Sequence, residues 1–241
     1  MEGYLLMKQP RILGKLVIGA LAIVLQMTSG TVIAGIIAVA DQDRSSPYDP
    51  GEIAKMPRYC KYTQSYRQEV IGGNDPTQIA KYERLMGPSI SPNVPMFGHM
   101  HHYCNGVWKT NRASLISQGQ GARTILLRSS IEEFDYVIAR APDTFILLPE
   151  ILTKKGETLV QLGQGASART TLSRAIELKP DYWPAYAALS EHYVKVGDVA
   201  KAREVLQKGL EVTPDEKALK RRLAELDKAK PKAQVDARTS H

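Results

Sequence analysis

Phe and Trp are scarce in this chain of 241 residues: three Phe and two Trp stand against many Ala, Leu and Lys. That balance argues against a β-sandwich and for helices packed through small and aliphatic side chains, so an all-α protein is expected. Cysteine is scarcer still. There are two, Cys60 and Cys104, and neither has a second cysteine at the C-x-x-C-H spacing that covalent haem requires. No lipobox-like cysteine follows the N-terminal apolar run, which argues against a lipoprotein, and no Asn-x-Ser/Thr glycosylation motif occurs. What remains, 43% hydrophobic and 24% charged, is the composition of a globular chain rather than a disordered one.

The longest run without charge lies near the start. Lys8, Arg11 and Lys15 precede an apolar stretch from Leu16 to Ala40, and Ala38-Val39-Ala40 ahead of Asp41 has the small-x-small form that signal peptidase accepts. The stretch is also long enough to span a bilayer. Residues 1–40 are therefore read as a signal peptide or a transmembrane anchor, and both readings keep the basic flank inside and export the rest. Without residues 1–40 the formal charge falls from +7 to +5. Much of the surplus lies in KALKRRLAELDKAKPK near the C-terminus, with no interleaved aromatics for base stacking. It is read as a solvated helix face followed by a disordered basic tail, 230–241, and no nucleic-acid partner is expected.

The stretch DYWPAYAALSEHYVKVGDVAKAREVLQKGLEVTPD, Asp181 to Asp215, carries the strongest pattern in the chain. Tyr186, Leu189, Ser190 and Tyr193 come before a Gly197-Asp198 turn; Ala202, Leu206 and Gly209 follow, and Pro214 closes the unit. It resembles a tetratricopeptide repeat, the helix-turn-helix unit of about 34 residues that stacks into a solenoid. A second unit closes at Pro180, with Gly156, Leu159, Gly163, Ala168, Leu172 and Ala175 in register, although Lys155 stands where a leucine belongs. Phe134 and Val137 ahead of Pro142 resemble the second helix of a degenerate third unit, paired with a helix around Cys104 to Ser114. The resemblance implies repeats at about 111–142, 149–180 and 183–214 and a capping helix at 215–229, together a domain from 111 to 229.

In such arrays the first helix of each unit lines a concave groove that holds an extended peptide or a partner helix. By this resemblance the groove is lined by Glu150, Thr153, Lys154, Glu157, Val160 and Gln161 in one repeat, and by Pro184, Ala187, Ala188, Glu191, Val194 and Lys195 in the next. Repeat domains that clamp a C-terminal carboxylate carry Lys and Asn where this chain has Thr153 and Glu157, so a carboxylate clamp is not expected. A competing arrangement fills the groove with the protein's own N-terminal segment.

Between the export segment and the repeats, residues 41–110 read as a small helical module: a proline-containing linker, helices over Pro57–Glu69 and Pro76–Met86, then a Gly/Pro/Ser loop from Gly87 to Gly98. Asp75 and Pro76 supply the start of the second helix. The motif HMHHYCNG follows, placing His99, His101, His102 and Cys104 on one helix. At 100° per residue His99 with His102 and His101 with Cys104 form two pairs pointing to nearly opposite sides, so the four cannot share one ion. A two-ligand half-site completed by Cys60 or Asp75 remains open, as does a thiol-dependent enzyme. The favoured reading is a Cys60–Cys104 disulfide of an oxidising compartment, with Tyr59, Tyr62, Tyr103 and Trp108 packed around it and no metal or cofactor.

The expected function is that of a non-enzymatic adaptor in a bacterial cell-envelope assembly, periplasmic or anchored in the inner membrane with its body in the periplasm. Its partner is a protein held in the groove, and no small-molecule substrate is expected. The alternatives are a metal-binding or thiol-dependent periplasmic enzyme and an assembly factor that acts through its anchor.

Overall fold

The computed structural model describes residues 50–68, 71–91 and 93–228. The expected targeting segment 1–40 and the basic tail 230–241 lie outside the described residues. Among the described residues every regular element is helical: α1 (Pro50–Ile53), α2 (Pro76–Met86), α3 (Met96–Leu115), α4 (Gln120–Ile138), α5 (Leu148–Gln161), α6 (Gly165–Leu178), α7 (Trp183–Lys195), α8 (Val199–Val212) and α9 (Lys217–Lys228). None of these helices is long and apolar enough to cross a membrane.

From α3 onward the helices pack as sequential antiparallel pairs. α3 lies on α4, α5 on α6 and α7 on α8; each pair leans on the next, and α9 closes the row against α8 and α7. Two turns show how the sequence enforces this. Gly163 and Gly197, 34 residues apart, take φ of 74° and 83°, a conformation that only glycine adopts without steric cost. In each turn the residue after the glycine donates its N–H five residues back, Gln164 to Leu159 and Asp198 to Tyr193, both at 2.9 Å. That bond caps the first helix and points the chain into the second. Pro149 and Pro184 start α5 and α7 in the first turn, where a missing N–H costs nothing.

Close approach within a pair needs a small residue. A Cβ on Gly156 of α5 would stand 2.5 Å from the Leu172 side chain of α6, and a Cβ on Gly106 of α3 would stand 2.5 Å from the Phe134 ring of α4. Leu172 and Phe134 are both fully buried, and each lies eight residues before a proline, Pro180 and Pro142. The two members of the contact are 16 residues apart in α5/α6 and 28 apart in α3/α4. The first hairpin is thus the same helical pair with twelve extra residues, taken up by a longer end of α3 and a longer start of α4.

The module ahead of the repeats has no core of its own. Met56, Cys60, Tyr62, Tyr66 and Met86 share one apolar cluster with Met96, Met100, Tyr103, Phe134, Leu148 and Ile151. The boundary drawn at 110/111 falls inside α3. α2 begins and ends where the sequence places it, with Asp75 Oδ1 accepting the N–H groups of Thr77 at 2.9 Å and Gln78 at 3.2 Å. The expected helix over Pro57–Glu69 does not form. Only a 3-10 turn, Cys60–Tyr62, is present, because Thr63 turns extended and spends both its N–H and its hydroxyl on Cys60 O.

Candidate partner-binding groove

The first helices α5 and α7 carry the expected groove residues, and the fold sorts them into three groups. Thr153, Val160, Ala187 and Ala188 are buried: Val160 clusters with Ala168 of α6, Ala188 with Leu172 of α6, and Ala187 with Leu206 of α8 and Leu219 of α9. Those residues form the floor and present no surface, a correction to their expected place in the lining. Thr153 also spends its hydroxyl on Pro149 O at 2.8 Å. Glu191, Val194 and Lys195 are exposed on α7. Arg222 of α9 comes within 3.9 Å of Glu191, so a cation from the last helix reaches the same patch. Lys154 and Glu157 pair with each other at 2.9 Å, half-exposed on α5.

The remaining members are engaged within the protein. Glu150 accepts the Tyr103 phenol at 2.5 Å, and Gln161 accepts Arg123 of α4 at 2.9 Å. The Tyr59 ring stacks on Tyr103 with centroids 6.4 Å apart, and Tyr82 meets Tyr59 edge-on at 6.0 Å. Burial foremost pushes the Tyr59 and Tyr103 phenols up, with Glu150 next for Tyr59 and with Tyr59 and then Glu150 next for Tyr103; burial and Glu150 do the same to Tyr182 ahead of α7. A protonated phenol is the form that donates, so the Tyr103 hydroxyl stays a donor toward Glu150. The segment around Tyr59 therefore packs at the α3/α5 end of the array, while Glu191, Val194 and Lys195 on α7 are left exposed by the described residues.

The histidines sit on α3 as the spacing requires, and each has a separate setting. His102 Nδ1 meets Glu133 Oε2 of α4 at 2.5 Å, and the same carboxylate takes Lys109 Nζ at 2.8 Å. Burial raises the Glu133 carboxyl, but the hydrogen bonds from His102 and Lys109 outweigh it and hold the group below its ordinary value. The His102 ring stacks on Tyr136 at 3.6 Å, and the Arg140 guanidinium lies 3.5 Å from the same ring, so the two take opposite faces. His101 Nδ1 lies 2.9 Å from Gly98 O, and His99 is buried with no partner for Nε2. Burial foremost, with Arg140 and His102 adding for His99 and His102 for His101, pushes both imidazoles down, so they stay neutral.

Cys104 Sγ lies 2.10 Å from Cys60 Sγ, with the Cα atoms 5.7 Å apart. The two sulfurs thus stand at disulfide distance. Among the described residues no three His, Cys, Asp or Glu side chains converge on a common point. Tyr59, Tyr62, Tyr103 and Trp108 belong to the same apolar cluster as the two cysteines, and Trp108 Nε1 donates to Glu52 Oε2 at 2.7 Å. The Tyr103–Glu150 and His102–Glu133–Lys109 contacts join residues 24 to 47 positions apart, and no local pattern announced them.

A tetratricopeptide repeat family model matches residues 159–226, which span the end of α5 to the last turns of α9. Residues 159–226 are tetratricopeptide repeats. No curated protein matches the chain. Among solved structures, the first tetratricopeptide domain of Spaghetti (RPAP3), bound to the HSP90 peptide SRMEEVD, is similar at 14% identity and a TM-score of 0.38. The match covers 53% of this chain and 96% of that one, and it is too distant to carry a ligand across. Tetratricopeptide repeats are a protein-interaction fold and are generally not enzymes, which is the role the repeats here indicate.

Proposed function

We propose that this protein is a non-enzymatic adaptor of a bacterial cell-envelope assembly, held at or beyond the inner membrane by residues 1–40, which grips a protein partner at the open end of its repeat groove. The observation that carries the reading is the pairing of a sealed floor, Ala187 and Ala188, with an exposed rim of Glu191, Val194 and Lys195 on one helix. Arg222 brings a further cation from α9, so the rim offers both signs around an apolar side chain. That combination suits a helix or extended segment with an apolar anchor flanked by charges of both signs. A Cys60–Cys104 disulfide, for which the two sulfurs stand at bonding distance, supports the reading: it fits an oxidising compartment and would remove the thiol on which the enzyme alternative depends.

A photo-crosslinking residue at position 194, introduced into the full chain in its own cells, tests the groove. One discrete adduct is expected, lost when Glu191→Lys and Lys195→Glu are combined. An adduct that survives the double reversal unchanged sinks the groove reading.

A further inference from the structure

A second concave feature lies away from the groove. Between α1, the turn after it and α2 is a cavity of about 590 Å³ whose lining includes Met56, Arg58, Lys61, Tyr62, Lys81 and Tyr82. Three of its lining side chains are cations, Arg58, Lys61 and Lys81, and none of them has a carboxylate partner among the described residues. Lys61 instead lies over the Tyr62 ring at 4.7 Å and Lys81 over the Tyr82 ring at 5.8 Å. The nearby carboxylate Glu52 is turned away to Trp108 and Arg112. No acidic side chain lines the cavity.

The feature also has an apolar edge and a fixed place in the chain. Gln78, Lys81, Tyr82 and Leu85 follow the i, i+3, i+4, i+7 stripe of α2, so the exposed Leu85 continues the cavity-lining face by one turn. Nine residues separate Ala40, the end of the apolar run, from Pro50. At full extension they span about 30 Å.

We infer that this cavity docks the phosphate headgroup of an anionic phospholipid, with Arg58, Lys61 and Lys81 as its cations and Tyr82 and Leu85 at the headgroup–acyl boundary. Unpaired cations supply the attraction to an anionic leaflet, and tyrosine is suited to the interface because one end of its ring is apolar and the other wet. The location of the cavity near the bilayer rests on the proposed anchoring of residues 1–40. Such a contact would set the orientation of the repeats over the membrane and leave the α7/α9 rim free for the partner.

The test is residue-resolved acetylation of the full chain reconstituted into vesicles of phosphatidylglycerol with phosphatidylcholine, or of phosphatidylcholine alone, read by mass spectrometry. Labelling of Lys61 and Lys81 is expected to slow about fivefold or more in the anionic vesicles, while Lys208 on α8 is unchanged. Combining Arg58→Glu with Lys81→Glu should abolish the protection at Lys61 without moving the thermal midpoint. Equal labelling in both vesicles overturns the inference. Protection by millimolar inorganic phosphate without lipid, or by an acidic peptide but not by phosphatidylglycerol, overturns the lipid as occupant. Carbonate extraction of native membranes reports on anchoring separately. A chain that extracts freely yet is protected by added anionic vesicles refutes the anchor and keeps the lipid site.

Discussion

Gly156→Ala should destabilise this protein, although the same change in an uncrowded helix stabilises it. Alanine in a helix interior is favoured over glycine by about 1 kcal/mol. Here the new Cβ would lie 2.5 Å from Cδ2 and Cγ of Leu172, a fully buried side chain, and Leu172 must give way. Overpacking of this kind costs about 1–3 kcal/mol. Taking about 2 kcal/mol for the clash, the net loss is about 1 kcal/mol, a fall in thermal midpoint of about 2–4 °C for a domain of this size. Leu172→Ala removes the obstacle at its own cost of about 2–5 kcal/mol. In that background Gly156→Ala should recover the helix preference and raise the midpoint by about 2–4 °C. The pair therefore shows a coupling of about 2 kcal/mol in a double-mutant cycle read by circular dichroism. If Gly156→Ala raises the midpoint by the same amount in both backgrounds, α5 and α6 do not meet at these two residues and the register of the repeat is wrong.

Reduction of the Cys60–Cys104 pair, which closes a 44-residue separation, should cost on the order of 4 kcal/mol; a midpoint indifferent to reductant would show that the bond does not hold the front segment down. Tyr103→Phe leaves half-buried Glu150 without its phenol donor and should cost about 1–3 kcal/mol by urea denaturation, a loss that Glu150→Gln in the same background should partly restore. His99 and His101 have folded values below the ordinary histidine range, so folding binds fewer protons than the unfolded chain. Stability they depend on is intact above about pH 6.5 and declines as pH falls from there toward their folded values, and His99→Phe should flatten that limb of the stability–pH curve. Glu133 acts lower, its contribution present above about pH 4.5 and lost as pH falls through its depressed folded value, so Glu133→Gln should leave the neutral range lower and the acid limb flatter.

Much of the C-terminal half was legible because repeat packing is local. Gly163 and Gly197 mark their turns by a backbone requirement, Leu172 and Leu206 recur at a fixed distance before a closing proline, and α2 is announced by Asp75 and Pro76. Such signals act within a few residues, so the linear sequence contains them whole. The helix α3 defeated the same reasoning, since its contact from Gly106 to Phe134 carries twelve residues more than the repeat spacing and the stacked pair tolerates the excess as two longer helices. The segment from Pro57 to Gln68 reads as a helix by composition, yet its pairing with Cys104 and its tyrosines packed on Tyr103 and Tyr82 hold it as turns. Groove accessibility was likewise a tertiary matter. Thr153, Val160 and Ala187 stand at lining positions in the repeat pattern, but burial depends on how closely the neighbouring helices approach. Only that approach separates the floor they form from the exposed rim of Glu191, Val194 and Lys195.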